Sequence, residues 1–274
     1  MARSQELSIG FVGAGNLARS LASGLVAGGL AAEHIWVTNR TRGEALDVFR
    51  RMGCSVANDL ETVCRAANTI FLLFKPKDAE SALERLKPLI DDRRLVISCL
   101  AGVPLSYIEW SLGPGRRVVR AMPNTSSTIR ASATTVATGR WASPEDLQRA
   151  SDLLEAVGEV WTIPEEWMDA ATAVAGSGPA YVYVFLEAMV AVATELGLPA
   201  EIAWGLVTQT TAGAVQLART SQETPAVLRQ RVSSPGGTTV AALEILEEEH
   251  FAQILSRAIR RATERSRELG QQWR

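Results

Sequence analysis

The sequence predicts an α/β domain over residues 1–163 followed by an all-helical domain over residues 164–274. Two observations carry this division. From Leu7 to about Ile163, short β-branched apolar runs alternate with amphipathic stretches. After Pro164 the strand signals stop, and Ala- and Leu-rich runs follow one another with Gly or Pro between them. A third observation places a ligand site: Gly13-x-Gly15-x-x-Ala18 follows the first apolar run directly and opens the first amphipathic stretch.

The strand candidates, in order, are "LSIGFV", "HIWVTN", "NTIFLLF", "RLVISCL", "RRVVRAM" and "ATTVAT". Helical patterns such as "NLARSLASGLVAGG" and "PKDAESALERLKPLI" lie between them. Strand-helix alternation of this kind predicts a mostly parallel sheet with right-handed crossovers. The second half opens at "PEEWMDAATAVAG", with Pro164 in a first-turn position and Glu165 and Glu166 at the end of the helix dipole that favours acids. Three further runs complete it: "PAYVYVFLEAMVAVATELG", "PAEIAWGLVTQTTAGAVQLART" and a last one reaching Leu269. Repeats and low-complexity tracts are absent from the sequence.

Composition narrows the function. The 274 residues are 47% hydrophobic and 21% charged, with 28 basic against 30 acidic side chains, so no basic excess argues for nucleic acid. Cys54, Cys64 and Cys99 have neither metal-ligand spacing nor an even count for a disulfide framework, which points to a reducing cytosol and to no bound metal. No stretch is expected to approach membrane-spanning length, so a cytoplasmic location away from membranes is expected.

In the glycine turn each residue type has a physical task. Gly13 permits a tight turn, Gly15 lets backbone approach a pyrophosphate, and small Ala18 allows close helix-strand packing. The pyrophosphate then rests on the free amides at the helix start, from Ala14 through Asn16 and Leu17. These features predict a Rossmann-type dinucleotide-binding domain. An NAD site usually has an acid at the end of the second strand. Here that end reads Asn39, Arg40, Thr41, Arg42. Guanidinium and hydroxyl donors suit a 2'-phosphate, so NADP(H) is the expected cofactor, with NAD(H) the alternative.

The absence of certain residues also carries information. Carbonyl reduction needs a proton donor near the developing alkoxide, commonly Lys or His. The only lysines are Lys75, Lys77 and Lys87, and the only histidines are His34 and His250, both in positions that read as solvated. A protonated imine needs no such donor: hydride addition quenches its positive charge and leaves a neutral amine. Positioning then becomes the protein's main task, and it is worth on the order of 7–11 kcal/mol in favourable cases.

"FVGAGNLA", "FKPKD", "AMPNT", "AGSGPAY" and "SSPGGTTVAAL" occur in the order and at the spacing of the pyrroline-5-carboxylate reductase family. The chain resembles that family from about Leu7 to Leu269. The resemblance implies NAD(P)H-dependent reduction of L-1-pyrroline-5-carboxylate to L-proline, the last step of proline biosynthesis. It implies that Ser234, Gly236, Gly237 and Thr238 grip the substrate carboxylate, and that the Thr239 hydroxyl bonds the ring nitrogen as the catalytic contact. Backbone donors at a helix start suit an anion, whereas a plain Ser/Thr cap between two helices would hardly require two glycines and a proline.

By the same resemblance, Glu165 lies near the substrate amine, although a helix-start acid explains it equally well. Asn58 is a cofactor contact or the cap of "DLETVCRAA". Phe74, Lys75 and Pro76 run past the nicotinamide-side ribose, Ala101 and Gly102 end the next strand likewise, and Asn124 lies close to the nicotinamide. All belong at the carboxyl ends of strands, where ligands gather in open parallel sheets.

Three positions depart from the family pattern: Ser126 stands where proline is common, Thr224 where histidine is common, and Arg231 where an amide residue is common. They leave room for a related cyclic imino acid as substrate, and a non-catalytic nucleotide-sensing paralogue is the reading from a different class. Helices apolar on several faces need burial on several sides. A homo-oligomer is therefore expected, and the resemblance makes it a dimer through the helical domain, often built further into a decamer.

Overall fold

The computed structural model of the chain describes residues 7–41 and 43–273, so Arg42, expected beside the cofactor, lies outside the described residues. In chain order the strands are β1 (Ile9–Val12), β2 (Ile35–Thr38), β3 (Ser55–Val56), β4 (Thr69–Leu72), β5 (Leu95–Ser98), β6 (Arg117–Met122), β7 (Ser132–Thr138) and β8 (Gly158–Thr162). They form one sheet in the order β3-β2-β1-β4-β5-β6-β7-β8. Every described pairing is parallel except β6 with β7. The first six strands thus have the doubly wound order, which reverses direction between β1 and β4 and opens a crevice there.

Every residue of β1, β4 and β5 is buried. Helices cover both faces, so such strands read as unbroken apolar runs rather than alternating ones. One core layer holds Ile9, Phe11, Phe71 and Ile97 against α1 (Asn16–Ala27), α2 (Glu44–Arg51) and α6 (Pro144–Glu155). The other holds Ile70, Leu72 and Val96 against α3 (Leu60–Ala66), α4 (Ala79–Leu86) and α5 (Leu105–Leu112). Phe11 and Phe71 meet edge to face across β1 and β4, with centroids 5.4 Å apart, directly beneath the crevice. Sequence reading missed β3 and β8. The first has only two residues, and the second is an edge strand, half exposed along its length, so neither prints a run of buried apolar residues.

The chain divides into two compact units. The first comprises the described residues up to Ser177 together with 261–273, and the second is 178–260. After β8 the first unit continues through a 3-10 turn at Glu165–Trp167, with Pro164 as its cap rather than in its first turn, then α7 (Met168–Ala171) and a π-helical turn at Thr172–Gly176. The second unit begins with α8 (Gly178–Glu195) and continues with α9 (Ala200–Thr220), α10 (Pro225–Arg231) and α11 (Thr238–Glu248). Helix α12 (Phe251–Gln271) has its later residues in the first unit, where Ser266 Oγ donates to Asp169 at 2.6 Å.

One expectation is corrected. The helical run 165–195 is long and apolar enough to cross a bilayer, with a mean hydropathy of 1.3. Sequence reading broke it at Gly176, Gly178 and Pro179; the π-helical turn runs to Gly176 and α8 starts at Gly178, so only Ser177 lies between them. Val184 and Phe185 on α8, and Trp204 and Leu206 on α9, are exposed within the chain. That is an apolar surface needing a partner.

Candidate active site

The crevice at the ends of β1 and β4 is a cavity of about 550 Å³. Its floor is the glycine turn. Gly13 has φ +118°, and a Cβ there would lie 2.6 Å from the Leu73 backbone, so the turn is shut tight against the chain leaving β4. Gly15 differs: a Cβ on it would meet nothing within 4 Å. Protein packing therefore does not require glycine at 15, and the free space there is on the ligand side. Gly15 also caps α1, no side chain bonds the first-turn amides, and no acid stands in that turn. A helix start left in this state accepts an anion.

The cavity wall is electropositive. Arg19, Arg40, Lys75, Lys77 and Arg85 line it, against the two acids Asp59 and Asp78. The whole chain carries −2, so cations are concentrated here against the overall balance. Arg19 Nε is buried with no hydrogen-bond partner, a donor left for a ligand. These features fit a dinucleotide: a pyrophosphate on the α1 amides, with cations for it and for any further phosphate.

Many of the expected cofactor residues meet in this cavity: Gly13, Ala14 and Gly15; Asn39, Arg40 and Thr41; Asn58; and Phe74 with Lys75. Asn39 Nδ2 donates to the Thr41 carbonyl and hydroxyl at 3.0 and 3.1 Å, which shapes the loop after β2. Asn58 does not cap α3. Asp59 does, accepting from the Thr62 amide at 2.7 Å, and this leaves Asn58 among the residues facing the cavity. Asn16, Leu17 and Pro76 flank the cavity without lining it.

Ala101, Gly102 and Asn124 lie elsewhere in the first unit. A Cβ on Gly102 would come 3.1 Å from Leu269 Cβ, so it seats the end of α12. Asn124 Nδ2 donates to the Ala175 carbonyl at 3.0 Å, and its Oδ1 accepts from the Ser126 amide at 3.0 Å. Proline at 126 would lack that amide, so the bond needs a residue other than proline there. Sequence reasoning missed Asp78, Ser81, Ala82 and Arg85 as lining residues. Their i, i+3, i+4, i+7 spacing along α4 and the turn before it was the available signal.

Glu165 lies inside the first unit. Its Oε1 accepts from Arg120 Nη1 at 2.6 Å and from the Leu105 amide at 3.1 Å, while Oε2 is buried with no partner.

The second unit carries the loop 233–237 at the start of α11. Gly236 has φ +71°, which favours glycine, and a Cβ on Gly237 would crowd the Ser234 hydroxyl at 2.5 Å and its carbonyl oxygen at 3.1 Å. The Gly237 amide closes the turn onto the Ser234 carbonyl at 3.0 Å. Gly237 is the cap of α11, and no side chain bonds to that helix start. The serine and threonines are therefore not capping groups, and Thr239 lies in the open first turn. Thr224 caps α10 through the Val227 amide. Arg231 pairs with Glu223, whose Oε2 is buried without a partner. Among the described residues no cluster of His, Cys, Asp and Glu could hold a metal ion.

Comparison with known proteins agrees with this geometry. Residues 165–269 match the family model for pyrroline-5-carboxylate reductase dimerisation, and residues 8–102 match that for coenzyme F420-dependent NADP oxidoreductase. Pyrroline-5-carboxylate reductase 2 of Bacillus subtilis is 40% identical over 270 residues, covering 97% of this chain and 96% of its own. The pyrroline-5-carboxylate reductase of Methanosarcina acetivorans is 38% identical over 97% of this chain and 99% of its own. The solved pyrroline-5-carboxylate reductase of Coxiella burnetii superposes with a TM-score of 0.90 at 36% identity, covering 97% of this chain and 99% of its own. The pyrroline carboxylate reductase of Plasmodium falciparum, solved with NADP bound, gives 0.88 at 27% identity over the same shares.

Proposed function

The chain belongs to the pyrroline-5-carboxylate reductase family, and we propose that it reduces L-1-pyrroline-5-carboxylate to L-proline with NADPH preferred over NADH. The observation that carries this is the pairing of two different anion sites in one chain. The cavity at β1 and β4 is large and electropositive, while the start of α11 is small, glycine-shaped and capped by no side chain.

The dinucleotide, when bound, supplies a hydride. The residues of the chain do the rest. The loop of Ser234, Gly236, Gly237 and Thr238 holds the substrate carboxylate, through the amides of Gly236 and Thr238 and the Ser234 hydroxyl, while the Gly237 amide closes the turn. The Thr239 hydroxyl accepts from the ring N–H and keeps the imine protonated while the C=N electron pair moves onto nitrogen. A carboxylate offsets the positive charge of the imine. Glu223 is favoured because it belongs to the same compact unit as the loop and has an unpartnered buried oxygen, and Glu165 Oε2 is the alternative. No lysine is needed, and the helical part has none.

Asn16, Leu17, Pro76, Ala101, Gly102 and Asn124 complete the cofactor surround in this reading, and Arg40 supports the NADPH preference. The part 164–274 binds substrate and forms the homo-oligomer, a dimer or a decamer built from dimers, in the cytosol. The exposed apolar surfaces of α8 and α9 support the assembly.

The test follows oxidation of NADPH and of NADH with pyrroline-5-carboxylate and with its six-membered ring analogue. Faster turnover of the five-membered ring with NADPH is expected. Preference for the larger ring transfers the chain to a related imino acid, and no turnover with either ring favours the nucleotide-sensing reading.

A further inference from the structure

We propose that Asp78 is a nucleotide-selecting residue that opposes Arg40: it favours the free 2'-hydroxyl of NADH and restrains the preference for NADPH. This rests on the reading of the β1–β4 cavity as the dinucleotide site. An NAD site usually carries its acid at the end of the second strand. Here that strand ends without one, yet the fold delivers an acid to the same place from another element. Asp78 closes the 3-10 turn that follows β4, and its Oδ1 stands 2.7 Å from Arg40 Nη1. Both residues line the cavity. The two are 38 positions apart, and only the adjacency of β1 to both β2 and β4 brings them together.

The pair is asymmetric. The Arg40 side chain is 70% exposed and that of Asp78 only 25%, so the acid is the seated partner and the guanidinium the mobile one. Asp78 uses one oxygen for Arg40, and its second is available as an acceptor for a ribose hydroxyl. A 2'-phosphate meets a different situation. Its oxygens must compete with Asp78 for the same guanidinium, and the carboxylate repels them. Arg40 therefore recruits the phosphate while Asp78 taxes it. Lys75, Lys77 and Arg85 line the same cavity and attract the anionic cofactor by charge.

The test compares kcat/KM for NADPH and NADH in the wild type and in Asp78→Asn, which keeps shape and removes charge. The NADPH-to-NADH ratio is expected to rise about five- to tenfold, the size of one exposed charge at contact distance. The change should fall on KM rather than kcat. Binding of adenosine 2',5'-bisphosphate should tighten in parallel, and binding of 5'-AMP should not. In an Arg40→Gln background the same substitution should shift the ratio less, because the competition is then gone. An unchanged ratio, or a shift toward NADH, overturns the proposal. A wild type that prefers NADH overturns the NADPH preference alone, since the direction of the shift in Asp78→Asn still decides the role of Asp78.

Discussion

Arg120 and Glu165 form an ion pair of 2.6 Å inside the first unit, with the arginine side chain only 5% exposed. The pair ties β6 to the turn that leaves the sheet, and the same carboxylate oxygen takes the Leu105 amide at the start of α5. Removing one partner of a buried pair leaves the other charge uncompensated. Arg120→Met is therefore expected to cost on the order of 3 kcal/mol in urea unfolding. An unchanged midpoint would show that the pair is dispensable. Glu165→Gln and Glu223→Gln, compared for substrate KM, identify the acid that faces the imine: the larger rise is expected at Glu223.

The two glycines of the nucleotide turn should fail in different ways. Gly13→Ala places a Cβ against the Leu73 backbone at a positive φ, and a loss of more than about 2 kcal/mol in stability is expected. Gly15→Val has room for its Cβ in the chain itself, so its melting temperature should fall less than that of Gly13→Ala while its affinity for NADPH collapses. Normal NADPH binding by Gly15→Val would remove the pyrophosphate from this helix start.

Thr239→Ala removes one hydroxyl and leaves the cap of α11 in place, since that cap is Gly237. A hydrogen bond to a charged partner is worth about 1.5–3 kcal/mol, so kcat/KM for the imine should fall roughly 10- to 100-fold with unaltered stability. Wild-type kinetics would sink the assignment.

The exposed apolar face of α8 should be an interface between copies. Val184 is 65% exposed in the single chain. Val184→Glu would bury a charge there and is expected to shift sedimentation toward the monomer mass of 29.5 kDa. A wild type that sediments as a monomer contradicts the interface directly.

Acid sensitivity has a specific contributor in Asp91. Burial alone would raise its carboxyl, but hydrogen bonds from Arg94 and Arg93 outweigh that and hold it well below the usual carboxylate range. A lowered folded value means stabilisation that is present above the unfolded pKa of about 3.9 and lost as pH falls through the folded one. Asp91→Asn should therefore flatten the decline of melting temperature below about pH 4. An unaltered slope would show that the ion pairs do not contribute.

What could be read from the chain without its structure was local. Alternating β-branched runs marked six of the eight strands, and the glycine turn marked the end of β1. "SPGGTT" marked the start of α11, because the positive φ at Gly236 favours glycine there. These signals survive in one dimension, since backbone sterics and side-chain period act over a few residues.

The tertiary structure alone decided the rest. It chose Asp59 over Asn58 as the cap of α3, set Asp78 against Arg40, and buried Arg120 beside Glu165. It also ran a π-helical turn up to Gly176 and started α8 at Gly178, leaving one residue between them. Each of these depends on which strands are neighbours or on how a turn closes. Pairing between segments tens of residues apart leaves no periodic trace in the sequence.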